Sequence, residues 1–348
     1  MRENSIFMRY IDNYSLLGHN TFGMDVHAAA FFEYDSTESL RTFVHSPQFT
    51  PYHSCHLAIG AGSNLLFGGD YNGLLIHSAI RDCEVVDDDG CRVLLRVGSG
   101  CVWDDVVARC VSEGWGGAEN LTAIPGEMGA AAVQNIGAYG QEICNLIASV
   151  ETVDVNGESR IFTNKECCYG YRDSIFKNEL KGLYFVTYVT LSLQRTPVLH
   201  LDYGPLRETL KAEILGHEPT LADVRRMIAE IRASKLPDPA VTGNAGSFFK
   251  NPVISLDHYC HLKDVWPSIP CYPVDDTHVK VPAAWLIEMC GWKGRSLGRA
   301  AVHEHQSLVL VNLGGANGQE VMDLARHITE DVKCKYGIEL SPEVNYIV

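Results

Sequence analysis

The sequence predicts an α+β protein in two halves, with a boundary near residues 195–205. Before this boundary, short runs of β-branched and apolar residues alternate with glycine-rich turns. Residues 197–205 begin and end with proline, and the helical segments that follow are longer. At roughly 150 residues per domain, a chain of 348 residues is expected to hold two or three domains.

The elements of the first half are predicted from apolar runs and the turns that bound them. Strands are predicted at 56–59, 74–76, 92–97, 146–155 and 183–193. A helix is predicted at 102–114, because valines and Cys110 share one face and Gly114 stands at its end.

The second half is predicted to be richer in helices. Helical periodicity covers 220–235, 282–291 and 317–337. Thr220 and Asp223 have capping-box spacing at the start of the first helix, and Gly337 ends the last one. The final residues, 341–348, are predicted to be a short extended tail.

Composition excludes several classes of function. The formal net charge is −15, so the basic footprint of a nucleic-acid or membrane-surface binder is missing. No apolar run approaches the ~18 residues of a membrane span, and residues 1–15 lack the apolar core of a signal peptide. We therefore expect a cytoplasmic protein without nucleic-acid or membrane partners. The 12 cysteines include no C-x-x-C pair, so we expect reduced thiols and no metal site.

Two glycine-dense segments indicate a ligand that lies against the main chain. Residues 60–64, "GAGSN", follow an apolar strand and form either a phosphate-binding nest or an ordinary tight turn. Residues 123–140, "AIPGEMGAAAVQNIGAYG", hold 4 glycines, each of which would cost a helix ~1 kcal/mol. A pair of such segments suits a dinucleotide. A third segment, "VGSGCVW" (97–103), lacks the last glycine of a dinucleotide fingerprint.

Two polar residues stand in unusual surroundings. Arg172 lies among aromatic residues in "YGYRDSIFKNE", where its planar fork suits a carboxylate or phosphate. A structural ion pair with Asp173 is the alternative. Ser247 lies in "TGNAGSFFKNP" between glycines and two phenylalanines, which we expect to exclude water from it. A nucleophilic role is disfavoured, because the pattern is not G-x-S-x-G.

Eight motifs together carry a resemblance to a known family. They are "GAGSN", "IPGEMGAAAVQNIGAYG", "YGYRDSIFK", "LDYGPL", "KLPDP", "GNAGSFFKNP", "AAWLIE" and "SPEVNYI". In their order and in their residues, these motifs resemble those of the UDP-N-acetylenolpyruvoylglucosamine reductase (MurB) family, from about residue 17 to the C-terminus. The "LDYGPL" motif resembles the type I branch, which carries a tyrosine loop.

The resemblance implies a fold and a reaction. The fold is an FAD-binding PCMH (vanillyl-alcohol-oxidase-like) fold of two α/β subdomains, at 1–85 and 86–200, followed by an α+β substrate-binding domain at 201–340. The tail, 341–348, would carry Glu343 back to the active site. FAD would be bound non-covalently, with NADPH as co-substrate. The expected reaction is reduction of UDP-N-acetylglucosamine enolpyruvate to UDP-N-acetylmuramate, by a monomer.

The resemblance also implies three catalytic residues. Hydride addition to the enol ether places negative charge on the substrate carboxylate, which Arg172 and Glu343 would meet. Glu343 can assist only while it carries a proton. Ser247 would then deliver a proton to the α-carbon as general acid.

Further residues are implied to bind ligands. The FAD would contact residues of both glycine segments and one cation, namely Gly60, Ala61, Gly62, Ser63, Asn64, Pro125, Gly126, Gly129, Ala130, Asn135, Gly137, Ala138, Tyr139, Gly140 and Arg232. The substrate would contact Tyr203, Lys235, Asn251, Lys293 and Gln306. Taken singly, each substrate residue could equally be a solvated charge or a structural hydrogen-bonding group.

One departure and two alternatives remain. The family usually has Gly-Gly before "AAV", whereas this chain has Gly298-Arg299, so the role of Arg299 is open. An alcohol or sugar oxidase of the same fold is the first alternative, although "GAGSNLLFGG" lacks the His or Cys that often attaches FAD there. A noncatalytic nucleotide-sugar-binding module is the second.

Overall fold

The computed structural model describes residues 8–203, 206–214 and 218–348. The strands, numbered along the chain, are β1 (Met8–Ser15), β2 (His27–Tyr34), β3 (His56–Ile59), β4 (Leu65–Phe67), β5 (Tyr71–Ser78), β6 (Cys83–Asp88), β7 (Arg92–Gly98), β8 (Gly137–Ala138), β9 (Gln141–Glu142), β10 (Ile147–Asp154), β11 (Ser159–Thr163), β12 (Tyr184–Gln194), β13 (Gly243–Ser247), β14 (Val253–Ser255), β15 (Tyr272–Pro273), β16 (His278–Lys280), β17 (Ser296–Leu297), β18 (Ala300–Val302), β19 (Val309–Asn312) and β20 (Asn345–Ile347). The helices are α1 (Thr37–Val44), α2 (Trp103–Ser112), α3 (Met128–Gln134), α4 (Leu206–Glu213), α5 (Leu221–Lys235), α6 (Leu256–Val265), α7 (Ala283–Met289) and α8 (Gly318–Tyr336).

These elements form two compact units. Within the described residues, the first unit comprises 8–14, 28–61 and 72–232, and the second comprises 15–27, 62–71 and 233–348. The glycine turn at 60–64 therefore begins in one unit and ends in the other.

The first unit is built on two larger sheets and the antiparallel pair β8-β9. One has four strands in the order β1-β2-β5-β3, with β3 and β5 parallel. The other is antiparallel and has five strands in the order β11-β10-β12-β7-β6. Alternate residues of β7, including Val93, Leu95 and Val97, pack with Trp103 and Val107 of α2 in its core. This period-two burial produced the strand signal in the sequence.

The incomplete fingerprint at 97–103 has a packing role. A Cβ added at Gly98 would collide with the carbonyl group of Ile80, and one at Gly100 with that of Ser78. The two glycines therefore let β7 and the following turn approach the main chain that leaves β5. Close packing accounts for the pattern without a bound phosphate.

Helix α5 begins where its capping signal predicted. The N–H of Thr220 donates to Oδ2 of Asp223 (3.0 Å), and the N–H of Asp223 donates to Oγ1 of Thr220 (3.3 Å). These reciprocal bonds satisfy two N–H groups that a helix start leaves unpaired.

The second unit has a four-stranded sheet in the order β13-β19-β18-β17, a three-stranded sheet in the order β14-β16-β15 and a parallel pair, β20-β4. Helix α8 packs on its core through Val321, Leu324 and Ile328. The helix starts with a capping box between Asn317 and Glu320 and ends at Gly337, whose φ is 67°. These caps lie at the predicted ends of the helix.

None of the helices in the described part of the chain is both long enough and apolar enough to cross a bilayer.

Candidate active site

The two glycine-dense segments meet in the first unit. A Cβ added at Gly60 would lie 3.0 Å from Oε2 of Glu127 and 3.4 Å from Cβ of Ala130. A side chain at position 60 would therefore press on the second segment, so glycine favours this close approach. Segments that are distant in sequence thus lie side by side.

The second segment is fixed by main-chain hydrogen bonds. The N–H of Trp103 donates to the Gly126 carbonyl (3.0 Å), and the N–H of Gly129 donates to the Ser99 carbonyl (2.9 Å). A Cβ at Gly129 would lie 2.8 Å from Cβ of Ser99. Gly129 therefore serves internal packing, and the helical part of the segment is limited to the seven residues of α3.

Asn135 holds the end of this segment. It adopts a left-handed conformation (φ 47°), and its side-chain amide donates to the Gly170 carbonyl (2.7 Å) and to Oε2 of Glu142 (2.9 Å). Its Oδ1 accepts from the N–H of Cys144 (3.1 Å). The side chain of this predicted FAD-binding residue is thus used within the protein to shape the turn.

Arg172 lies against the same segment. Its guanidinium donates to the carbonyl of Asn135 (3.4 Å) and to that of Gly137. A Cβ at Gly137 would lie 2.6 Å from Nη1 of Arg172, so the arginine fits over bare main chain. The carboxylate of Asp173 accepts hydrogen bonds from the Asn178 amide (3.1 and 3.0 Å). Arg172 therefore joins the "YRDS" and "NIGAYG" motifs.

Tyr203 lies beside the turn that ends the second segment. Its ring is 5.9 Å from that of Tyr139 in an edge-on arrangement. A Cβ at Gly140 would be 3.5 Å from Cβ of Tyr203, an ordinary contact. Half of the surface of Tyr203 is exposed.

Arg232 and its neighbours hold the loop before Gly126. The Nε of Arg232 donates to the carbonyl of Ala123 (3.2 Å), and the N–H of Ala123 donates to Oδ1 of Asp104 (2.6 Å). Arg225 forms a two-pronged ion pair with Asp104 (2.8 and 2.9 Å). Burial, together with the charge of Arg172, lowers the pKa of Arg232, while the charge of Asp104 and a hydrogen bond with Tyr139 oppose this shift. An arginine remains cationic even with a lowered pKa.

Ser247 lies at a β-bulge of the second unit. The pairing of β13 with β19 is regular at Asn244 but shifts before Ser247, which lies opposite Val309. Gly246, with φ at 68°, provides the left-handed residue at this irregularity. Ser247 is exposed, whereas Phe248 and Phe249 are buried in the core. The phenylalanines thus anchor the strand, and the prediction that they shield Ser247 from water was wrong.

The C-terminal tail runs beside this strand. The N–H of Glu343 donates to the Phe248 carbonyl (2.8 Å), and the Glu343 carbonyl accepts from the side-chain amide of Asn64 (3.2 Å). The N–H of Asn345 donates to the Asn64 carbonyl (3.1 Å) as β20 pairs in parallel with β4. The second unit therefore brings together three segments with predicted site residues, at 64, 247 and 343.

The predicted substrate residues of the second unit have varied surroundings. Oδ1 of Asn251 accepts from the N–H of Ala283 at the start of α7 (2.9 Å). Lys293 forms an exposed ion pair with Glu288 (3.0 Å), and Lys235 is exposed at the end of α5. The side chain of Gln306 accepts from the N–H of Leu308 (3.3 Å). Asn251 thus has a structural bond, and Lys235 is exposed to solvent.

Arg299 departs from the family pattern and has a structural partner. Its guanidinium donates to Oε2 (2.8 Å) and Oε1 (3.2 Å) of Glu320. Glu320 belongs to the capping box of α8. Arg299 therefore ties the turn before β18 to the start of α8.

Several polar residues near the site were not predicted. His77, on β5, lies between the carboxylates of Glu33 and Glu127, and Asp104 anchors the Ala123 loop. Glu127 in "IPGEMG" is the one local signal of this cluster in the sequence. A glutamate amid glycine and alanine needs a partner when it is buried.

The first unit contains the groups that FAD requires. The glycine segments offer main chain without bulky side chains, and Arg232 provides a cation beside Tyr139. Main-chain N–H groups and a buried cation suit a pyrophosphate and an anionic flavin ring, respectively. The residues present therefore fit a dinucleotide cofactor of this kind.

Comparison with known proteins supports this assignment. Residues 28–163, which lie almost entirely in the first unit, match a family model described as an FAD binding domain. The fold and the site thus define an FAD-binding oxidoreductase.

The family follows from the second unit and from the relatives of the chain. Residues 238–347 match the model of the UDP-N-acetylenolpyruvoylglucosamine reductase C-terminal domain. Proteins named UDP-N-acetylenolpyruvoylglucosamine reductase are 50% identical in Bacteroides fragilis, covering 96% of this chain and 99% of the relative, and 46% identical in Porphyromonas gingivalis, covering 97% and 98%. The chain belongs to the UDP-N-acetylenolpyruvoylglucosamine reductase family.

A solved structure supports the fold. The crystal structure of UDP-N-acetylenolpyruvylglucosamine reductase (MurB) from Thermus caldophilus is similar with a TM-score of 0.68 at 22% identity, covering 98% of this chain and 100% of that one. The predicted fold class, an FAD-binding PCMH-like region with an α+β substrate-binding region, is confirmed.

Proposed function

We propose that this protein reduces UDP-N-acetylglucosamine enolpyruvate to UDP-N-acetylmuramate with NADPH, in the synthesis of peptidoglycan precursors. The names of its relatives and the C-terminal family model support this substrate class. The observation that carries the proposal is the junction in the second unit, where Glu343 bonds to Phe248 beside Ser247 and to Asn64. The junction gathers three segments that carry motifs of the reductase family, "GAGSN", "GNAGSFFKNP" and "SPEVNYI".

When bound, FAD would supply the chemistry of hydride transfer between NADPH and the substrate. The glycine segments, at 60–64 and 125–140, are the proposed holding surface for this group. Arg232 would balance the negative charge of the reduced ring, because its guanidinium stays cationic in a partly buried position.

Arg172 and Glu343 are the proposed stabilisers of the reacting substrate. Hydride addition drives negative charge onto the substrate carboxylate, so a cation and a proton-bearing acid lower the energy of the charged state. Arg172 is prepared for this task, because bonds to the Asn135 and Gly137 carbonyls orient its planar fork. The main chain of Glu343 is fixed by hydrogen bonds to Phe248 and Asn64.

Ser247 is the proposed proton donor to the α-carbon. A serine hydroxyl is a weak acid, so its use requires a strongly basic acceptor and a fixed position. The bulge at Gly246 supplies that position, because it turns Ser247 outward while the next two residues are buried. Ser247 thus lies on a strand that is anchored by the buried side chains of Phe248 and Phe249.

The nucleotide-sugar part of the substrate needs donors in an acidic chain. Tyr203, Lys235, Asn251, Lys293 and Gln306 are proposed for this binding. The exposed cation of Lys235 suits a phosphate, and Tyr203 offers an exposed phenol next to the "NIGAYG" turn. The enzyme is further proposed to act as a monomer in the cytoplasm.

A sequence of two anaerobic additions tests the function. NADPH should bleach the visible absorbance of the flavin-bearing protein, and UDP-N-acetylglucosamine enolpyruvate should then restore it. UDP-N-acetylglucosamine, which lacks the enol ether, is the matched control and should restore nothing. A colourless protein, or reoxidation by both sugars alike, would contradict the proposal.

A further inference from the structure

The first unit contains a buried histidine between two carboxylates. Nδ1 of His77 lies 2.9 Å from Oε2 of Glu33, and Nε2 lies 3.1 Å from each carboxylate oxygen of Glu127. Side-chain exposure is 4% for His77, 18% for Glu33 and 8% for Glu127. The catalytic proposal above uses none of the three residues.

The geometry favours a charged ring. A carboxylate only accepts hydrogen bonds, so a histidine that bonds to a carboxylate at each nitrogen must carry a proton on both. Burial alone would lower the pKa of His77, but hydrogen bonds and charges from Glu127 and Glu33 outweigh it and raise the pKa. The phenol of Tyr34, near Glu127, stays neutral, since burial raises its pKa to about 12.

The bridge links the sheet to both glycine segments. Glu33 is on β2 and His77 is on the adjacent strand β5. Glu127 precedes α3 directly, and its Oε2 would be 3.0 Å from a Cβ at Gly60. Its carboxylate therefore touches the bridge on one side and the first glycine turn on the other.

We propose that the Glu33–His77–Glu127 bridge holds the two glycine segments in their cofactor-binding arrangement, with His77 as a positioning residue for FAD binding. The inference rests on the proposed function, in which these segments hold FAD. Loss of one ring proton would leave either Glu33 or Glu127 without its donor, and a neutral ring would no longer offset the repulsion between the two carboxylates, so Glu127 would shift. Gly60 would then lose its contact with the carboxylate of Glu127.

The bridge predicts how FAD affinity changes with pH. Because the pKa of His77 in the folded protein is raised, the bridge is complete below the ordinary histidine value. It is lost as the pH rises through the raised value. FAD affinity should therefore fall from neutral to alkaline pH.

The test measures FAD release from the full-length yellow protein by its fluorescence on dilution, between pH 6 and pH 9. His77→Gln should raise the FAD dissociation constant roughly tenfold at the acidic end, the equivalent of one charge-assisted hydrogen bond, and should flatten the pH profile. Glu33→Gln, which keeps the Glu127 contact, should move the midpoint of the profile to lower pH. It is the second variant if His77→Gln does not fold.

A matched control separates positioning from general stability. Glu151→Gln removes a two-pronged ion pair with Arg96 (2.6 and 2.7 Å) in the five-stranded sheet of the same unit. It should keep the wild-type dissociation constant and pH profile. A His77 variant that matches wild type in both respects would overturn this inference alone. So would a Glu151 variant that weakens FAD binding equally. A wild-type protein that holds no FAD would overturn the proposed function as well.

Discussion

Arg172 adopts a left-handed backbone conformation, with φ at 56°. For a residue with a Cβ this costs roughly 1–2 kcal/mol, so neighbouring bonds must maintain it. Nζ of Lys177 donates to the Arg172 carbonyl (2.8 Å), and the N–H of Asp173 donates to the Gly170 carbonyl (3.0 Å). The strained turn therefore holds the guanidinium over Gly137, where the proposed chemistry needs it.

Gly137→Ala tests this arrangement. The new Cβ would lie 2.6 Å from Nη1 of Arg172 and 2.9 Å from the Gln141 carbonyl, so the guanidinium must move. We expect enolpyruvyl reduction to fall about 10- to 100-fold, because small displacements of a catalytic group have effects of this size. Flavin reduction by NADPH should fall less than this, because Arg172 is proposed to act on the substrate and not on the flavin. Stopped-flow traces of the two half-reactions check this.

The control for that variant is Gly18→Ala. A Cβ at Gly18 has no atom within 4 Å. Equal losses in both variants, or an unchanged Gly137 variant, would rule out the proposed role of this contact.

The buried carboxyl group of Glu119 should make the unfolding free energy depend on pH. Its Oε2 accepts from the N–H of Gly117 (2.6 Å), but Oε1 has no hydrogen-bond partner among the described residues. Burial raises the pKa of Glu119. The unfolding free energy of wild type should therefore decline as the pH rises from the ordinary glutamate value through the raised one.

Glu119→Gln should remove this decline. The variant is expected to gain about 1 kcal/mol over wild type at pH 8 and little at pH 4, since an amide carries no charge to desolvate. Urea unfolding at both pH values measures the difference. A gap of equal size at both would contradict the assignment.

At the scale of elements, local signals predicted the boundaries closely. The helix predicted at 317–337 is observed as Gly318–Tyr336, because its capping box and Gly337 are encoded within a few residues of each end. The strand predicted at 56–59 is His56–Ile59. The pairing of β4 with β20 has no local signal, since it joins segments far apart in the chain.

The candidate site residues could be predicted less completely from local signals than the boundaries of helices and strands. Arg172, Ser247 and Glu343 came from motifs of a known family, and no periodicity would have indicated them. His77 and Asp104 were missed, because their importance lies in partners supplied by other elements. A single histidine in an apolar strand carries no sign of the two acids that face it.

Asp104 connects three elements and gives a prediction at that scale. It accepts from Arg225 of α5 and from the N–H of Ala123, while it lies on α2 itself. Burial raises its pKa, but the hydrogen bonds from Arg225 and Ala123 and the charges of Arg225 and Arg232 outweigh this and lower it. Its stabilising effect is thus complete above the ordinary aspartate value and is lost as the pH falls through the lowered one.

Asp104→Asn should reduce the unfolding free energy at pH 7 by about 1 kcal/mol, a modest value because 35% of the side chain is exposed. The difference from wild type should shrink in acid. Glu230→Gln, which removes an exposed pair with Arg226 on the same helix, is the control and should have no measurable effect. Equal effects of the two variants would contradict a special role for Asp104.

The pair between Arg299 and Glu320 gives a second prediction for an element. Hydrogen bonds from Arg299 and from the N–H of Asn317 lower the pKa of Glu320 to about 2. Arg299→Gly, which restores the usual family residue, should raise the pKa of Glu320 in a carboxyl NMR titration. KM and kcat should remain at wild-type values. An increase in KM would show that Arg299 serves the substrate.

At the scale of the whole molecule, the charge of −15 limits how an anionic substrate is bound. Attraction has to come from cations placed at the site, since the overall field repels a nucleotide. In the proposed function, Arg172, Arg232 and Lys235 are these cations. Family membership rests on the full chain, because its relatives match over more than nine-tenths of its length.

The central claim is that Ser247 delivers the proton which completes reduction. The most direct measurement is the rate of each half-reaction in Ser247→Ala, with Ser255→Ala, the cap of α6, as the control. We predict near-normal flavin reduction by NADPH and at least a ~100-fold loss in reoxidation by the enolpyruvyl substrate. Equal losses in both half-reactions, or reoxidation at the wild-type rate, would contradict the account.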